Sequence, residues 1–183
     1  LGCAAGQVGR LLLANNQVEE LVGIEIFQSV ADEAAKYYDK VIVGDIESLN
    51  LEYAEYFDFI ICGDILEHLS DPWAQVKKMK SWLRDEGIII SSIPNVRHWQ
   101  VLLNLVFKGE WEYKPEGILD RTHLRFFTQR TALDLFLDSG FKIFHYQMWV
   151  KGFKKSIFNQ ITFHLFEGFL AEQTIVVAKK GKN

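Results

Sequence analysis

Gly6, Glu25, Asp45 and Asp64 follow one another at intervals of 19, 20 and 19 residues, each beside a turn between strand-like and helix-like runs. This spacing constrains the chain more than any other feature. A βαβ unit returns to the same edge of a parallel sheet each time, so such positions gather at the carboxyl ends of the strands. Ligands of open α/β sheets bind at that edge. The strands between these positions are nearly continuous apolar runs, as expected of a sheet covered on both faces. They are predicted at 20–27, 40–43 and 57–62, with a further one beginning at Ile88-Ile89-Ile90 after Gly87. The chain opens at Leu1 in a small-residue loop that normally follows a strand, so one more strand is expected before Leu1.

Helices alternate with these strands. One runs from the loop through Ala14 and stops at Asn15-Asn16, and a second is capped by Ser29 and reaches about Tyr37. Asp71 caps a third, with Pro72 at the first helical position, where its missing N–H costs nothing. Trp73, Val76, Met79, Lys80 and Leu83 follow on it at helical spacing. Thr128 caps another helix to Ser139, with Gly140 as its stop. Phe141–Val150 and Gln173–Ala178 read as strands, the second as an antiparallel edge, with a helical insertion over 151–172 between them. The segment 95–127 has little periodicity and many polar-aromatic residues. The whole chain, 1–183, is read as one domain.

Composition excludes several classes. With 20 Lys and Arg against 24 Asp and Glu the net charge is −4, unlike a protein that lives on nucleic-acid phosphate. Cys3 and Cys62 alone make no disulfide framework. No apolar run approaches the ~20 residues of a membrane span. A cytoplasmic setting is expected.

The candidate site residues follow from chemistry. In Gly2-Cys3-Ala4-Ala5-Gly6-Gln7-Val8-Gly9, small residues let a ligand approach backbone N–H groups at a helix start. Glu25 stands at the offset where an acidic residue bonds ribose hydroxyls, two of which one carboxylate can accept at once. Asp45 can accept from an adenine amino group while Ile46 packs on the ring.

These residues, with Gly23-Ile24-Glu25, Gly44-Asp45-Ile46, Phe57-Asp58-Phe59-Ile60-Ile61-Cys62 and Leu66-Glu67-His68-Leu69, resemble class I S-adenosylmethionine-dependent methyltransferases over roughly 1–140. The branch most resembled includes the ubiquinone-biosynthesis type and many small-molecule and cell-envelope enzymes. The resemblance implies a Rossmann-like, doubly wound α/β sheet of seven strands, mostly parallel with the last strand antiparallel. It implies S-adenosylmethionine as cofactor and a methyl acceptor that is a small molecule or is linked to lipid or sugar. Gly2, Ala4 and Gly6 would line the methionine part, with Gly63 and Asp64 along it. Glu25 would hold the ribose with Ile26 beside it, and Asp45 and Ile46 the adenine. Two departures stand out. Ala4 replaces a middle glycine, and the acidic residue usual upstream of the loop lies outside the sequence.

A base helps if the acceptor is a hydroxyl, and His68, His98 and His123 are the candidates, with His68 and His123 preferred. His123 sits in Asp120-Arg121-Thr122-His123-Leu124-Arg125-Phe126-Phe127, similar to a segment of envelope-associated members. Asp64, Glu67 and His68 are spaced like the metal ligands of some quinone-precursor members, but the string is read as packing and capping, with no metal. Segment 95–127, with Trp99, Trp111 and Tyr113, is expected to form the acceptor site and to set acceptor choice. Phe153, Ile157, Phe158, Ile161, Leu165 and Phe169 make an apolar face beside Lys151, Lys154 and Lys155, read as facing the core or a second copy rather than a membrane. The alternatives are a nicotinamide-dependent reductase, because Ala4–Gly9 also suits a dinucleotide, and a methyltransferase-like domain without turnover.

Overall fold

A computed structural model describes residues 1–15 and 18–182. The chain forms two compact units, Leu1–Glu52 and Tyr53–Asn183.

The first unit holds α1 (Gln7–Ala14), β1 (Val22–Glu25), α2 (Gln28–Ala34) and β2 (Lys40–Val43). β1 and β2 pair in parallel from Val22↔Lys40 to Glu25↔Val43. Ile24, Ala31, Ala34, Cys3 and Ile46 form its core. α1 ends at Asn15 as expected, while Asn16 lies outside the described residues. Two expectations need correction. β1 is shorter than 20–27, and α2 begins at Gln28 with Phe27, not Ser29, at its cap position. No side chain caps α2. The first turn is closed instead by Val30 and Ala31 amides on the Phe27 carbonyl at 3.1 and 2.9 Å. α2 also stops at Ala34, short of Tyr37.

The loop into α1 is left-handed at three places, with φ of 58° at Gly2, 45° at Ala4 and 87° at Gly6. Glycine takes this conformation without penalty, whereas a residue with a Cβ pays roughly 1–2 kcal/mol. Ala4 bears that cost where a glycine was anticipated. At Gly6 there is also no room, because a Cβ would stand 2.8 Å from the Tyr37 ring and 3.1 Å from the Ala34 Cα.

The second unit holds β3 (Phe57–Gly63), α3 (Pro72–Trp82), β4 (Leu83–Pro94), α4 (Trp99–Leu103), α5 (Gln129–Asp138), β5 (Phe141–Trp149), α6 (Phe153–Ile161), α7 (Glu167–Leu170) and β6 (Gln173–Lys180). A 3-10 turn, Leu66–His68, follows β3, and a π turn, Asn104–Lys108, follows α4. The sheet order is β3-β4-β6-β5, parallel between β3 and β4 and antiparallel on both sides of β6. The last strand is therefore reversed, as expected, but it is not an edge. β6 is paired on both sides, its Thr174, Val176 and Ala178 are fully buried, and β5 is the edge. Leu83 belongs to β4 rather than to α3. Pairing is Phe57↔Leu83 and then Phe59↔Ile88, so residues 84–87 bulge out with Glu86 at a φ of 63°. Gly87 lies inside this excursion.

The caps read from sequence are present. Asp71 Oδ1 accepts from Ala74 N–H at 2.9 Å. Thr128 and Thr131 exchange side-chain and backbone bonds in a capping box. Gly140, at a φ of 78°, ends that turn, and Lys80 Nζ donates to its carbonyl at 2.7 Å. The apolar face over 153–169 is expected to face the core or a second copy, and the structure bears only on the first; the side chains of Phe153, Lys154 and Phe158 lie outside the described residues. Ile161 and Leu165 are exposed rather than facing the core, and Phe169 lies under the Arg97 guanidinium at 4.2 Å. Among the described residues no helix is long and apolar enough to cross a membrane.

Candidate functional site

In the first unit the candidate residues meet at the carboxyl ends of β1 and β2. The Glu25 carboxylate accepts three backbone N–H bonds, from Ala4 at 3.0 Å on Oε2 and from Ile26 and Phe27 at 3.0 and 3.2 Å on Oε1. It is buried, and one strand end thus fastens the glycine loop to the turn that follows. Two carboxylate oxygens offer about four acceptor positions. Three are taken, which leaves one on Oε2 rather than the pair expected for two ribose hydroxyls. Gly44 N–H bonds to the Glu25 carbonyl at 2.9 Å and so brings Asp45 alongside. Asp45 is exposed. Its Oδ1 accepts from Glu47 N–H at 2.9 Å, and the other oxygen remains for a ligand. Ile26 is exposed, whereas Ile46 is buried in the unit's core.

In the second unit Gly63 pairs with Ser92 at the carboxyl ends of β3 and β4. Asp64 follows in a left-handed conformation, φ 51°, its N–H on the Ser92 carbonyl at 3.1 Å. Gln173 Nε2 donates to its Oδ1 at 2.7 Å. Desolvation pushes the Asp64 carboxyl above its ordinary range, against the bonds from Gln173 and Ser92.

The next turn carries Glu67 and His68. Segment 95–127 returns to it, because Leu124 and Arg125 N–H both bond the Glu67 carbonyl, at 2.8 and 3.0 Å. His68 and His123 then meet edge to face, ring centroids 4.7 Å apart. Their far separation in sequence gave no local sign of this pairing. The Glu67 side chain is buried and neither carboxyl oxygen has a hydrogen-bond partner. The nearest ionisable contact is His123 Nε2, 3.9 Å from Oε1. Burial, reinforced by the charges of Asp64 and Asp120, pushes the Glu67 carboxyl up to about 8. Burial also lowers the His123 imidazole from its ordinary value, with the bond to the Ile118 carbonyl opposing. Donor atoms of Glu67, His68 and His123 lie within 4.8 Å of one another, a spacing that a divalent cation can bridge. This trio contains His123 in place of the Asp64 read from sequence.

His98, the third candidate base, is 2% exposed, and burial lowers its imidazole too, so no acceptor reaches it without rearrangement. Burial pushes the Cys62 thiol up to about 11 and raises Cys3, so neither is a poised nucleophile. Trp111 and Tyr113 pack on Phe126 at 5.1 and 6.3 Å, while Trp99 and Tyr113 keep exposed faces.

Residues 1–146 match the family model described as a methyltransferase domain. No curated protein matches the chain. Among solved structures, a putative methyltransferase of Bacillus halodurans is 16% identical, with 99% of this chain and 90% of that one covered at a TM-score of 0.69. S-Adenosylmethionine-dependent methyltransferases of Mesorhizobium loti and Archaeoglobus fulgidus are 16% and 18% identical at a TM-score of 0.68. Each covers 98% of this chain, which spans 88% and 83% of theirs. The chain belongs to this methyltransferase family. Its fold is Rossmann-like and its cofactor is S-adenosylmethionine.

The first unit fits that cofactor. Its loop is left-handed at Gly2, Ala4 and Gly6, and Glu25 Oε2 and the second Asp45 oxygen keep acceptor positions not taken up by the loop amides.

Proposed function

We propose that the protein transfers a methyl group to a small-molecule, lipid-linked or sugar-linked acceptor in the cytoplasm. Gly2, Ala4, Gly6, Glu25, Ile26, Asp45 and Ile46 hold the cofactor, with Gly63 and Asp64 along its methionine part, and His68 and His123 are the candidate bases. When bound, the cofactor supplies a methyl already activated on a sulfonium sulfur. The chain's own task is to align the acceptor and exclude water.

The observation that carries the acceptor reading is the tie between segment 95–127 and the end of β3 and β4. Two bonds to the Glu67 carbonyl make that tie, and Val96 N–H on the Phe127 carbonyl at 2.8 Å closes the segment's own two ends. The segment carries Trp111 and Tyr113 packed on Phe126 beside a few polar groups, a composition that suits a small-molecule site. Exposed Val106 and Phe107 in the same segment, next to Lys108, offer apolar area to a lipid-linked acceptor. A net charge of −4 speaks against a nucleic-acid acceptor.

The test is transfer of labelled methyl from S-adenosylmethionine into fractions of a small-molecule extract, with and without EDTA. Transfer is expected, and expected unchanged by the chelator, because a sulfonium donor needs no Lewis acid. Absence of transfer to every fraction contradicts the acceptor class. Loss with EDTA and recovery with magnesium or zinc would instead make Glu67, His68 and His123 ligands.

A further inference from the structure

The hydrogen bonds around Thr122 determine which nitrogen of His68 carries its proton. Thr122 Oγ1 lies 2.6 Å from Asp120 Oδ1, and Thr122 N–H donates to the same oxygen at 2.8 Å. An ionised carboxylate only accepts. These two bonds hold the Asp120 carboxyl below its ordinary range. The single hydroxyl proton of Thr122 is therefore committed to Asp120. The same Oγ1 is 3.1 Å from His68 Nδ1, and the Thr122 carbonyl is 3.3 Å from it. Neither oxygen has a proton to give, so Nδ1 is the donor. In the neutral ring Nε2 then carries the lone pair.

His123 has the same tautomer, since its Nδ1 faces the Ile118 carbonyl at 3.0 Å. Its surroundings differ. Its side chain is 6% exposed and its Nε2 faces the buried Glu67 carboxyl. His68 is only half-buried.

We propose that Thr122 and Asp120 are positioning residues for His68, holding it so that Nε2 takes the proton of a hydroxyl or amine acceptor, while His123 is confined to its buried pairing with Glu67. The inference rests on the methyl-transfer reading above. The acceptor's oxygen or nitrogen forms the new bond to carbon, the carbon–sulfur pair stays on sulfur, and the acceptor's proton goes to Nε2. The imidazolium so formed donates through Nδ1 to Thr122, whose hydroxyl donates to the Asp120 carboxylate. Its charge is countered along a chain of hydrogen bonds fixed before reaction. The amides of Leu124 and Arg125 tie this chain to Glu67, the residue before His68, so base and positioning residues move together.

Two readouts need neither donor nor acceptor. In protein labelled with 15N-histidine, His68 is assigned by loss of its signal in His68→Gln, and its two nitrogens report the tautomer. The expected result is a protonated Nδ1 and a bare Nε2, and the opposite tautomer overturns the proposal. Diethylpyrocarbonate then probes the lone pair, with sites mapped by mass spectrometry. His68 is expected to react and His123 to be protected. Thr122→Val should slow His68 about fivefold, the effect of losing one ordinary hydrogen bond, and Thr122→Ser should restore it. Equal rates in all three proteins overturn the positioning role, and reaction at His123 in place of His68 overturns the assignment. In the extract assay His68→Gln should lower transfer by about 100-fold or more, and undiminished transfer removes His68 as the base. A wild type that transfers nothing while showing the expected tautomer and labelling contradicts the methyl-transfer reading alone.

Discussion

Replacing Glu25 with alanine should weaken binding of S-adenosylhomocysteine by roughly 10- to 150-fold, the cost of about 1.5–3 kcal/mol for a hydrogen bond to a charged group. The effect has two sources. One is direct under the proposed assignment, in which the open position on Oε2 accepts from a ribose hydroxyl. The other is the loop, because the same carboxylate holds the Ala4, Ile26 and Phe27 amides. Glu25→Gln loses the first and keeps part of the second. Its amide oxygen still serves Ile26 and Phe27, while its NH2 faces the Ala4 N–H and cannot accept from it. Circular dichroism establishes folding and calorimetry reads affinity, with Glu25→Gln expected between wild type and Glu25→Ala. Unchanged affinity in a folded Glu25→Ala protein contradicts the ribose assignment.

Stability should fall as pH rises through neutrality, and Glu67→Gln should remove most of that fall. Glu67 ionises near 4.5 in the unfolded chain and near 8 in the folded one. Between these values the folded state holds a proton that the unfolded state has released. The group's contribution is therefore most favourable below about 4.5. It declines by about 1.4 kcal/mol per pH unit through the window and levels off above about 8. The cause is burial, which strips water from a carboxylate that also faces the charges of Asp64 and Asp120. Denaturant unfolding at pH 5, 7 and 8.5 measures the slope. Glutamine keeps the shape without the charge, so the variant should exceed wild type at pH 8.5 by a margin that shrinks toward pH 5. Parallel curves for the two proteins would show that Glu67 is compensated in solution.

What was legible in the sequence was local. Lys40–Val43 is a strand as read, because three consecutive β-branched residues, Val41, Ile42 and Val43, between turn signals leave little alternative. Asp71-Pro72 and Thr128 mark helix starts because a cap is made within three residues of itself. Features set at long range were not legible. The excursion at 84–87 exists because β4 must meet Phe57 and then Phe59 across the sheet, which nothing in its own periodicity announces. Phe27 displaces Ser29 at the start of α2 because Glu25, two residues upstream, takes the Phe27 amide and fixes where the turn begins. The site divides in the same way. The offsets of Glu25, Asp45 and Asp64 were readable because parallel crossovers repeat at nearly constant length. The meeting of His68 with His123 depends on Leu124 and Arg125 bonding one carbonyl far upstream. The lack of partners at Glu67 is visible only once everything around it is in place.

Calorimetric titration of the full protein with S-adenosylhomocysteine tests the central claim most directly. Binding of one equivalent with micromolar affinity, undisturbed by a nicotinamide dinucleotide in excess, is the predicted result. Failure to bind S-adenosylhomocysteine, or its displacement by the dinucleotide, would contradict the account.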